Sequence, residues 1–83
     1  MTPIESIYEI QSAVSSLASY TSSRDAVVLK KVQVKYLELI DRFFRENANF
    51  VEPEQREACL HDKDYFMNLM DDTVEHYYLE VGE

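Results

Sequence analysis

Eighty-three residues bound the chain to one domain, near the lower limit of what a single hydrophobic core supports without disulfides or metals. Apolar residues make up 46% against one Gly and two Pro, which excludes a disordered chain and a turn-rich all-β fold. A formal charge of −8 excludes long-range attraction to nucleic acid or to an anionic membrane surface, and leaves a basic protein surface as the charged partner that fits.

The charge is unevenly placed. Residues 1–22 carry two acids and no base, residues 23–49 six bases against four acids, and residues 50–83 ten acids against Arg56 and Lys63. The one cysteine, Cys59, cannot close an internal disulfide and fits a reducing compartment. No apolar run approaches the roughly 20 residues of a membrane span, and the first residues lack the basic-then-apolar order of a signal peptide. The chain therefore reads as cytoplasmic.

In chain order, Thr2-Pro3-Ile4-Glu5 is a helix start: Thr2 caps, Pro3 takes the first helical position and Glu5 completes a capping box. Ile4, Ile7, Ile10, Val14, Leu17 and Ala18 share one face, predicting a first helix over about 3–20. Its other face carries Ser12, Ser15, Ser16 and Ser19 with little charge, small side chains that would let another helix approach. Thr21 to Asp25 is a polar joint in which Ser22 and Asp25 repeat the capping-box spacing. So short a connection makes the first two helices antiparallel neighbours.

The second helix is expected over about 23–47. Val28, Val32, Tyr36, Leu39, Ile40 and Phe43 lie within an apolar arc that Leu29, Leu37 and Phe44 widen to roughly half its circumference. An arc so wide predicts a central helix with two or more neighbours. Val27 and Val34 lie seven apart on the charged side, beside Lys30, Lys31, Glu38, Asp41 and Arg45, where they are either tolerated surface or a second seam.

Asn47-Ala48-Asn49 ends that helix, and Phe50 with Val51 is expected to fold back onto the core. Pro53 opens a short helix of about 53–60 with Glu52 and Glu54 near its positive end. One unbroken helix to residue 80 would place Asp62 and Lys63 inside the apolar stripe, so a break near His61-Asp62 is expected, with Asp62 capping a last helix over about 63–80. There Phe66, Leu69, Met70, Thr73, Val74, Tyr77 and Val81 face inward and Asp64, Asn68, Asp71, Asp72 and Glu75 outward. The expected fold is all-α, a small antiparallel bundle of three to four helices forming a single domain over residues 1–83.

Chemistry-bearing patterns are few. Glu57 and His61, and Asp72 and His76, are four apart, yet neither histidine follows a Glu by three residues as a helical di-metal site would require. Cys59 and His61 diverge by about 200° on a helix, which denies them a nucleophile–base geometry. The only glycine, Gly82, excludes a Gly-rich phosphate loop. The expectation is a non-enzymatic protein with no catalytic residue, metal or cofactor.

Recognition remains. Tyr65, Asp71, Asp72, Glu75 and Tyr78 combine rigid aromatics that anchor with carboxylates that steer a basic partner. The leading expectation is a small acidic module of the adaptor, inhibitor, antitoxin, immunity or chaperone type, acting by occupying a partner protein's surface. The alternative is a self-assembling helical homodimer, with Lys30, Lys31 and Lys35 facing the acidic last helix of another copy. A nucleic-acid mimic and a metal-binding bundle rank below both.

Overall fold

The 3.6-residue apolar spacing resolves into four helices in the computed structural model, which describes residues 3–81. They are α1 (Pro3–Ala18), α2 (Ala26–Glu46), α3 (Gln55–His61) and α4 (Lys63–Val81), and no strand occurs among the described residues. The expected Thr2 cap, the terminal Gly82 and the side chain of Val81 lie outside the described residues.

Local chemistry sets the helix ends. After Ala18 the α1 ladder tightens into turns, with Ser19 and Tyr20 amides donating to the Ser16 and Leu17 carbonyls at 3.3 and 3.0 Å. The Ser19 and Thr21 hydroxyls donate to the Ser16 and Ala18 carbonyls, both at 2.8 Å, so side chains satisfy the last orphan acceptors and the helix stops two residues early. The cap of α2 is Asp25, not Ser22: its backbone is extended and its carboxylate accepts from the Val27 amide at 2.9 Å. The helix accordingly starts at Ala26, three residues later than expected. Pro53 and Glu54 form a turn leading into α3, in which the Gln55 side chain reaches back to accept from the Glu52 amide at 2.8 Å. The expected break falls at Asp62, which ends α3 and accepts from the Tyr65 amide at 3.1 Å.

Polar cross-links define the packing. Arg42 on α2 donates to Glu9 on α1 at 3.1 Å, and the buried Ser6 hydroxyl donates to Glu46. Early α1 therefore lies beside late α2, which makes the pair antiparallel. Arg56 on α3 pairs with Asp41 on α2, while the Tyr36 hydroxyl donates to the Cys59 carbonyl at 2.7 Å. Gln11 on α1 donates to Asp71 on α4 at 2.6 Å, closing an up-down-up-down arrangement.

Buried residues from every helix meet in one cluster: Ile4, Ile7, Ile10 and Val14 from α1, Leu39, Ile40 and Phe43 from α2, Cys59 from α3, and Phe66, Leu69 and Met70 from α4. Val51 joins them from the loop before α3, and Phe50 sets its ring edge-on to Tyr77 with centroids 6.1 Å apart. Asn47, buried at the end of α2, satisfies itself by donating from its side chain to the Phe43 carbonyl at 3.0 Å.

The expectation of a central second helix holds only for its latter half. Leu39, Ile40 and Phe43 are buried, but Val28, Leu29 and Val32 are only half-buried and Leu37 is exposed. The cause is length. α1 ends beside Gln33, and the α3–α4 corner at His61–Lys63 reaches no further, so the first two turns of α2 overhang both neighbours. The molecule measures 47 × 24 × 18 Å as a result.

Truncating the middle of the cluster should be far costlier than truncating the overhang. Phe66→Ala is expected to lower unfolding free energy by about 3–5 kcal/mol, whereas Val27→Ala should stay within about 0.5 kcal/mol of the parent; urea denaturation followed by circular dichroism measures both.

Candidate interaction surfaces

Between Lys63 and Val81, α4 carries five acids and one base. Its outward side follows from the inward one: with Phe66, Leu69, Met70 and Thr73 buried, Asp64, Asn68, Asp71, Asp72 and Glu75 are all exposed. Among the described residues no basic side chain pairs with Asp64, Asp72 or Glu75.

The five residues singled out from the sequence all lie on α4 but differ in their surroundings. Tyr65 sits half-buried in the α3–α4 seam, where its hydroxyl accepts from Gln55 Nε2 at 3.3 Å. Asp71 is held in the α1–α4 seam by Gln11. Between these flanks lie Asp72 and Glu75, with the exposed Tyr78 further along the helix, its ring edge-on to Tyr77 at 5.9 Å. A residue the sequence reading passed over, Leu79, belongs with them. It lies about 40° from Glu75 around the helix and is 71% exposed, beside a depression shared with Asn49, Phe50, His76 and Glu80. Its signal was present: it is the one aliphatic residue in the acidic arc.

A second surface comes from the overhang. Where α2 outruns its neighbours, a cleft of about 260 Å³ opens between the end of α1 and the α3–α4 corner. Val14, Leu17 and Ala18 form one wall, Val32 and Tyr36 the floor, and Leu60 the other wall, with His61 to Lys63 on the rim. Leu17 and Val32 also line a neighbouring shallow trough with Tyr20, Val28 and Lys31. Periodicity assigns Leu17, Val28, Val32 and Tyr36 to the core; what leaves them only half-buried is the relative length of the helices, which periodicity does not report.

Beneath the cleft, burial pushes the Cys59 thiol up to about 11, with the nearby Asp62 charge adding to the effect and Arg56 opposing it. Burial likewise raises the Tyr36 hydroxyl to about 12, assisted by Cys59 and Asp62. Both groups are thus held neutral, the reverse of what an activated nucleophile requires. His61 is exposed and lies 3.3 Å from Glu57 on the same helix, away from the buried thiol. Among the described residues no group of three or more His, Cys, Asp or Glu side chains is placed to hold a metal ion, and no helix is long and apolar enough to cross a membrane. No protein-family model matches the chain, and no curated protein or solved structure matches it significantly.

Because Cys59 and Tyr36 hold their protons more tightly when folded, the stability they contribute is complete below their ordinary values of 9.0 and 10.0 and is lost as pH rises toward 11 and 12. The denaturation midpoint should therefore fall above pH 9, and less steeply in Tyr36→Phe. In the native protein at pH 8 the thiolate population is expected to be about a hundredfold below that of the unfolded chain, read as slow reaction with a chromogenic disulfide reagent that denaturant accelerates.

Proposed function

We propose that this chain is a small protein-binding module that occupies a basic surface on a partner protein through the outward side of α4. The observation that carries the reading is the joint exposure of Asp72, Glu75, Tyr78 and Leu79 on one helix side, with no basic group of the chain among the described residues paired to either acid. Unpaired carboxylates raise the encounter rate with a cationic surface, and the tyrosine and leucine supply apolar area that becomes favourable once water is expelled. Asp71 and Tyr65 stand at the two flanks, already bonded to Gln11 and Gln55, which costs less ordering on binding than free side chains would. Action by occupancy, as an adaptor, inhibitor, antitoxin, immunity protein or chaperone, requires no catalytic group or cofactor. The alternative is a self-assembling homodimer, in which Lys30, Lys31 and Lys35 of α2 face the acidic side of α4 on another copy.

The test is capture from the native cell with the tagged chain at low and at high salt, in parallel with an Asp72→Lys, Glu75→Lys variant and a Tyr78→Ala, Leu79→Ala variant. One stoichiometric basic protein should be retained at low salt, released at high salt, and bound roughly tenfold more slowly by the charge-reversed variant. The apolar variant should chiefly speed dissociation. Equal capture by all three forms, with unchanged circular dichroism, would remove α4 from the interface. Competition by nucleic acid for the captured protein would identify the partner as a nucleic-acid-binding one.

A further inference from the structure

The side of α2 turned away from Phe43 is the other large exposed surface of the molecule. Val27 is 63% and Val34 49% exposed there, and Leu37 flanks them in solvent. Val34 lies at a shallow depression walled by Lys30, Lys31, Lys35 and Glu38. Among the described residues none of these four charged groups has an ion-pair partner, although Arg42 and Asp41 on the same helix are both paired.

The spacing around Val34 is self-complementary. Lys31 precedes it by three residues and Glu38 follows it by four, so the two are seven apart and stand on the same flank. Lys30 and Leu37 are likewise seven apart, on the other flank. When two identical helices pair antiparallel about a two-fold axis, each flank meets the same flank of its mate with the residue order reversed. An axis at Val34 then sets Lys31 against Glu38 twice over, and lays the aliphatic stem of Lys30 on Leu37 twice over. Lys35 is turned about 100° from Val34 and stays in solvent.

We propose that a second copy of this chain docks antiparallel on this side of α2, with the two-fold axis at Val34 and reciprocal Lys31–Glu38 pairs. Pairing the basic side of α2 with the acidic side of another copy's α4 is a poorer arrangement. Phe43 and Phe66 face each other across 5.4 Å, so the outward sides of α2 and α4 point in opposite directions, and joining them gives an open chain rather than a closed dimer. The two-fold dimer leaves α4 free for a different partner and does not depend on one. A single helix pair falls below the roughly 1,200–2,000 Å² of a standard interface, so the dimer forms reversibly and with concentration.

The test is sedimentation velocity of the full chain from micromolar to millimolar concentration, on the parent and on the variants Lys31→Glu and Glu38→Lys. Both sites are exposed in the monomer, so circular dichroism should be unchanged. Each single variant opposes like charges twice and is expected to raise the dissociation constant by roughly tenfold; an equimolar mixture of the two restores opposite charges at both contacts and should recover parent-like association. In a separate arm, thiols introduced by Val34→Cys should couple between copies on mild oxidation far faster than those introduced by Leu79→Cys, a more exposed position off the axis. A parent chain that stays monomeric through millimolar concentration overturns the proposal. So do single variants that associate as tightly as the parent, a mixture that recovers nothing, growth beyond two copies, or equal coupling at positions 34 and 79.

Discussion

The structure depends on one aromatic joint. Among the described residues no Cα of α2 comes within 8 Å of any in α4, so these two helices, diagonal across the bundle, meet only through side chains. Phe66 fills the gap, edge-on to Phe43 at 5.4 Å and to Tyr36 at 5.9 Å, in the geometry favoured by aromatic quadrupoles. Tyr36 in turn gives its hydroxyl proton to the Cys59 carbonyl, which ties α3 across the same joint. One cluster thus sets the spacing of α2 from α4, holds the short helix in place and excludes water from the thiol below the cleft. The polar ties at the rim, Arg42 with Glu9 and Arg56 with Asp41, are partly exposed and serve register more than strength.

Much of this architecture is legible in the sequence, and what is not shares a cause. Ile4, Ile7, Ile10 and Val14 read directly as a buried face because they follow one another at three or four residues, one helical turn at a time. The break at Asp62 is legible because a charged pair at core positions leaves a single long helix no acceptable phase. The overhang of α2 is not legible, since a stripe such as Val28, Val32 and Tyr36 records that a face is apolar and stays silent on whether its neighbours extend far enough to cover it. Those neighbours stop where Ser19, Thr21 and Asp62 bond to nearby backbone, choices that only the folded chain arbitrates.

The interaction surface shows the same division. Exposure of Asp72, Glu75 and Tyr78 follows from period alone, but the fate of Tyr65 and Asp71 depends on which helices flank α4 and what they present. Gln55 and Gln11 supply long amide donors at those two seams, and nothing in the local pattern around Tyr65 or Asp71 announces them. Burial also decides the character of Cys59: the same residue in an exposed helix beside Arg56 would be a more acidic thiol, whereas here desolvation dominates.

The brevity of α3 carries a kinetic consequence. Seven residues are too few to hold a helix in isolation, because the nucleation cost is not recovered over so few bonds. Its ties run to α2, where Tyr36 donates to the Cys59 carbonyl and Asp41 accepts from Arg56, and to α4, where Tyr65 accepts from Gln55. The α1–α2 hairpin, by contrast, closes over a short loop with large apolar faces on both sides and can form early. The helix turn at Asp62 and the seating of Phe66 are therefore expected to form together, in one cooperative step.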